Sequence, residues 1–118
     1  LGGVIMQNSG IGNIVNPLII ENQVESCIAY GLSAALYGEI TLKDGRVEQS
    51  NFDDYPIMKL GEMPEVETHF ALSGGDKWGG IGEAALPAAA PAVANAIFRA
   101  TGKRIRSIPF KHHDLSWG

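Results

Sequence analysis

From Asn16 to Gly38 the chain carries one continuous helix signal, and whatever else it forms must pack on that rod. Asn16-Pro17 reads as a helix start: asparagine suits the N-cap, and proline suits the first helical position, where a missing N–H costs nothing. Val24, Ile28, Leu32, Ala35 and Leu36 then recur at helical spacing, and Gly38 suits the C-terminal cap. Ser26, Ala29, Gly31, Ser33 and Ala34 are small, so a second backbone can lie close along this helix. The pattern predicts a buried helix ending near Tyr37.

The other organising stretch is Trp78-Gly-Gly-Ile-Gly-Glu-Ala-Ala-Leu-Pro87, with the Ala-rich run that follows it to Gly102. Gly79, Gly80 and Gly82 allow positive φ and close approach of the backbone to another object. Glu83 sits at the end of that flexible loop. Pro87 and Pro91 bracket the start of a second helix, from Ala88 or Ala92 to Ala100, stopping at Thr101-Gly102. Its expected buried stripe is Val93, Ala96, Ile97 and Ala100.

Between and around these helices the signals are shorter. Gly3-Val-Ile-Met6 suits a buried strand, and Asn8-Ser-Gly-Ile-Gly12 a loop. Asp44-Gly45 between two β-capable runs, residues 39–43 and 46–50, signals a hairpin. Residues 52–63 are irregular. Residues 65–72 alternate polar and apolar, which predicts a strand with Val66, Thr68, Phe70 and Leu72 on one face. Residues 104–108 suit a last short strand and 111–118 a tail. The expected fold is α+β: two buried helices packed on a small, mostly antiparallel sheet.

Composition removes several function classes. At 118 residues the chain is a single domain or a fragment of one. Apolar content of 45% with 19% charged residues is globular. A formal charge of −4 argues against nucleic acid, since phosphate binding needs a basic footprint. The single cysteine, Cys27, allows no internal disulfide and no cysteine-based metal cluster. No apolar run reaches the roughly 18 residues of a membrane span. The chain opens at Leu1 rather than Met, as expected of a fragment or a processed piece.

Among residues able to carry chemistry, Glu83 comes first, as a general base on a glycine-rich loop or as a plain exposed loop acid. Gln23 and Glu25 flank Val24 on the first helix. A glutamine amide can hold an anion's oxygens or simply face solvent. His112-His113-Asp114 is a poor metal site, because neighbouring residues in extended chain point apart. His69 is isolated, and Cys27 reads as packing. Ser9-Gly-Ile-Gly12 lacks the Lys and Ser/Thr of a phosphate loop. Trp78 and Trp117 suit either a core or an interface.

Several of these stretches, in order, resemble one family. They are Gly12-Asn-Ile-Val-Asn-Pro17, Asn22-Gln-Val-Glu25, Ile28-Ala-Tyr-Gly-Leu-Ser-Ala-Ala-Leu36, Gly80-Ile-Gly-Glu83 and Ala90-Pro-Ala-Val-Ala-Asn-Ala-Ile97. Together they look like the C-terminal end of the large, molybdopterin-binding subunit of xanthine oxidase family molybdenum hydroxylases. Residues 37–52 and 110–117 narrow the likeness to the isoquinoline 1-oxidoreductase-type β subunit of bacteria. The resemblance implies a subdomain of a larger molybdopterin-binding fold.

It also implies roles. Glu83 matches the family's general base, Gln23 the glutamine at the pterin phosphate, and Gly82 the glycine that lets the backbone pass beside the molybdenum ligands. The cofactor would be molybdopterin in its cytosine dinucleotide form, with iron–sulfur clusters on a small partner subunit. The substrate would be an N-heteroaromatic ring or an aldehyde, with water as the oxygen source. The remainder of the large subunit would be needed for turnover, and the compartment would be bacterial cytoplasm or periplasm.

Three departures accompany the likeness. Ala84 stands where the family has proline, Asn8-Ser-Gly-Ile replaces an Asp-Cys pair, and Ser26-Cys27 replaces Gly-Gly. The competing expectation is a non-catalytic α+β interaction module, a remnant with an idle Glu83. A third is a small aldehyde-binding or assembly protein.

Overall fold

The computed structural model describes residues 12–76 and 78–116. The strand expected over residues 3–6, residues 8–11 of the expected loop, and Trp117 lie outside the described residues. Helix α1 spans Pro17–Leu36 and helix α2 Leu86–Thr101. Between them a two-stranded antiparallel sheet pairs β1 (Leu42–Lys43) with β2 (Arg46–Val47), in the register Leu42 to Val47 and Lys43 to Arg46. Short 3₁₀ turns cover Leu60–Glu62 and Phe110–His112.

α1 starts as the sequence predicts. Asn16 holds extended backbone, its side-chain oxygen accepts a hydrogen bond from the Leu18 N–H at 3.1 Å, and Pro17 opens the helix. The cap at the other end is Tyr37 rather than Gly38. Gly38 is nonetheless constrained there, because a Cβ on it would fall 2.9 Å from the Ala34 Cα.

α2 begins earlier than its prolines predict, at Leu86, and carries Pro91 inside it. Pro87 lies in the first turn, where its missing N–H is unneeded. Pro91 deprives only the carbonyl of exposed Pro87 of its helical donor, and water can satisfy that group. Gly102 ends the helix at φ 72°, its N–H bonded to the Phe98 carbonyl at 2.8 Å.

The two helices pack on each other, and the hairpin stands apart as an exposed arm. α1 buries Cys27, Gly31, Leu32 and Ala35 but leaves Leu18, Ile19 and Tyr30 exposed. The seam on α2 runs through Ala89, Ala90, Val93, Ala94 and Ile97. Ala96 and Ala100, expected in that stripe, are exposed, because α2 meets α1 through its first turns at Ala89. Phe110, 1% exposed, closes the core with Ala35 and Ile105.

Residues 65–72 form no ladder among the described residues, and neither do residues 104–108. The alternation is partly realised: Val66 and Thr68 are half-buried while Glu65, Glu67 and His69 face solvent. Alternation sets which way side chains point; a strand also needs a partner backbone.

Candidate functional site

The glycine-rich segment of residues 73–85 leads into α2 and is tied to the N-terminal part of the chain at two points. The Asn13 side-chain amide donates to the Gly75 carbonyl at 2.6 Å. The Cys27 thiol donates to the Gly82 carbonyl at 3.0 Å. Positive φ occurs at Gly74 (67°) and Gly75 (99°), whereas Gly80 and Gly82 stay outside the left-handed region. What Gly80 and Gly82 provide instead is open space, since a Cβ on either would meet nothing within 4 Å among the described residues.

Glu83 follows directly. Its carbonyl accepts from the Leu86 N–H at 3.2 Å, which turns the chain into α2, and its side chain is exposed. Among the described residues its carboxylate meets no hydrogen-bond partner, so it is free to face an outside molecule. Two residues on, Ala85 is 3% exposed and anchors the turn against the helices.

Gln23 lies on an exposed part of α1, four residues before Cys27. That spacing places it about one turn, ~6 Å along the axis, from the thiol that holds Gly82. The structure therefore brings Gly82 and Glu83 onto α1 through Cys27, at the stretch of helix that also bears Gln23. The amide of Gln23 offers two donors and an acceptor, a set suited to anionic oxygens. Glu25 is exposed as well.

The remaining polar groups of interest serve the C-terminal segment. Glu39 pairs with Lys111 at 2.9 Å and with His112 at 2.9 Å, and Lys111 first, then His112, hold its carboxyl below the usual range. Lys103 pairs with Asp114 at 2.8 Å and lowers that carboxyl strongly. His113 turns instead to Ser107, so the adjacent imidazoles diverge. His69 lies 3.5 Å from Glu67 on the surface. Trp78 is 65% exposed, which leaves it outside the core. Among the described residues no three His, Cys, Asp or Glu side chains converge on a point that could hold a metal ion.

The arrangement pairs an exposed carboxylate on a glycine-rich loop with an exposed amide on α1, and the chain as a whole is similar to known proteins. A profile of the molybdopterin cofactor-binding domain matches residues 6–64, half of the chain. The chain belongs to that family. The matched span includes Gln23 and Cys27 and ends before Gly82 and Glu83.

Isoquinoline 1-oxidoreductase subunit beta of Brevundimonas diminuta is 34% identical over 102 residues, 86% of this chain and 13% of that protein. Quinoline 2-oxidoreductase from Pseudomonas putida 86 superposes with a TM-score of 0.66 at 28% identity, over 84% of this chain and 14% of that one. A Cu,Mo-CO dehydrogenase gives a TM-score of 0.65 at 27% identity, over 75% of this chain and 12% of that one. The chain thus spans about an eighth of the length of the relatives it matches. It is part of the molybdenum hydroxylase family and adopts the corresponding piece of its molybdopterin-binding fold. Among the described residues no helix is long and apolar enough to cross a membrane.

The sequence reading of Cys27 as packing agrees with its burial, but the hydrogen bond to Gly82 was not legible there. A lone cysteine on an apolar helix reads as packing, and it is buried, 4% exposed. Its partner is 55 residues away in the chain, so no local spacing announces the bond.

Proposed function

We propose that this chain forms part of the large subunit of a molybdenum hydroxylase that oxidises N-heteroaromatic or aldehyde substrates with oxygen from water. Gln23 and Gly82 face the cofactor, and Glu83 is the general base. The observation that carries the reading is the junction of the exposed Gly82–Glu83 peptide with α1 one turn from Gln23. The residues fit such a group. Open space at Gly80 and Gly82 admits a bulky neighbour, and the exposed Gln23 amide offers donors to a phosphate.

When bound, the molybdenum cofactor, proposed as the cytosine dinucleotide form, supplies the two-electron oxidation. This chain's residues position and deprotonate. The Glu83 carboxylate takes up the proton released as the water-derived oxygen is delivered to an electron-poor carbon. Electrons leave through iron–sulfur clusters on a small partner subunit.

The chain alone is inactive on this reading, because it closes little of its own surface. Its radius of gyration is 16.9 Å, against roughly 13–14 Å for a compact domain of this size. Leu18, Ile19 and Tyr30 leave an apolar face of α1 uncovered, as expected if the remainder of the large subunit packs there.

The test is molybdenum and pterin content of the native assembly, together with a Glu83→Gln variant. Stoichiometric cofactor, with turnover of isoquinoline or benzaldehyde lowered about 10²–10⁴-fold in the variant, is the expected result. A native assembly without molybdenum would leave the non-catalytic interaction module standing instead.

A further inference from the structure

We propose that Cys27 is a positioning residue for Glu83, acting through the hydrogen bond from its thiol to the Gly82 carbonyl. This inference rests on Glu83 acting as the base. The Gly82 carbonyl belongs to the same planar peptide unit as the Glu83 nitrogen, so holding that oxygen orients the Glu83 Cα. The Sγ to oxygen distance is 3.0 Å, and the donor is buried, the cysteine being 4% exposed, while Gly82 itself is exposed.

The far side of Glu83 is held by the same helix face. Gly31 lies one turn beyond Cys27 on α1, and α2 approaches it through Ala89 and the Leu86 carbonyl. Cys27 and Gly31 therefore grip the chain on either side of Glu83, at Gly82 and at Leu86. Upstream, Gly79 and Gly80 give the loop backbone freedom, and between them and Gly82 only Ile81 brings a side chain, half-buried. The thiol adds a directional hydrogen bond that an apolar contact does not supply.

The roles of packing and of positioning separate in the holoenzyme. Cys27→Ala removes the donor and little volume, and Cys27→Ser keeps a donor on a shorter arm. We expect Cys27→Ala to lower kcat on the order of 10-fold with KM unchanged, less than the 10²-fold that a 1 Å misplacement can cost. Amide exchange should accelerate at residues 80–85 and stay unchanged over the rest of α2, and Cys27→Ser should restore both rate and protection. Wild-type kcat and unchanged exchange in Cys27→Ala would overturn the proposal. So would acceleration spread evenly over both helices, which is what lost packing produces.

If the alanine variant fails to assemble, the serine variant decides. Wild-type rate and protection support the thiol's role as a donor, and a loss of both overturns it. Glu83→Gln separates this idea from the one beneath it. A fully active Glu83→Gln enzyme removes the base, while a crippled one beside an unaffected Cys27→Ala enzyme removes only the tether.

Discussion

The Cβ of Ala89 stands 2.7 Å from the point where a Cβ on Gly31 would sit, and the Leu86 carbonyl oxygen lies 3.0 Å from that point. Both obstacles are fixed to the α2 backbone, so no side-chain rotation relieves them. Gly31→Ala should push the helices apart and destabilise the protein by about 1–3 kcal/mol, despite alanine's better helix propensity. Equilibrium unfolding in denaturant measures this. A variant as stable as the parent would show that the crossing can slide without cost.

Gln23 and Glu83 should fail in different ways. A hydrogen bond to a charged group contributes about 1.5–3 kcal/mol, so Gln23→Ala should weaken cofactor retention by about 10- to 100-fold. Glu83→Gln should retain the cofactor and lose turnover. Metal and pterin analysis of the two purified variants distinguishes them, and equal cofactor loss in both would contradict the assignment.

Among the described residues Phe110 is the largest side chain buried completely, at 1% exposure, and it packs with Ala35 and Ile105. Phe110→Ala should cost about 3–5 kcal/mol through lost burial and the cavity left behind. Thermal unfolding followed by circular dichroism reads the effect, and a loss under 1 kcal/mol would mean that the segment collapses into the space.

Glu39 links the end of α1 to the C-terminal turn through Lys111 and His112. Its carboxyl is held below its ordinary value in the folded state, so its contribution is complete above the usual carboxylate range. That contribution is lost as pH falls through the lowered folded value. Titration of Glu39 by NMR should find a depressed midpoint that rises toward normal in Lys111→Ala and at high salt. An unmoved midpoint would assign the shift elsewhere.

The parts of this fold that could be read from the sequence are those closed by near neighbours. Asn16 caps the helix that begins beside it, Gly102 stops the helix that ends beside it, and Asp44-Gly45 turns a hairpin with both residues at positive φ. Each depends on backbone geometry within a few residues. The ordered motifs likewise marked the family.

The tertiary structure decided the rest. Alternation over residues 65–72 held for half-buried Val66 and Thr68 but not for exposed Phe70 and Leu72, and a ladder needs a second strand that local pattern cannot provide. The α2 stripe moved toward Ala89 because the helices cross at Gly31, where the absence of a side chain lets them approach. That same crossing carries Gly82 to Cys27, across 55 residues of chain. Residue types determine what a group can donate or accept, and only the packing of α1 against α2 determines which distant group receives it.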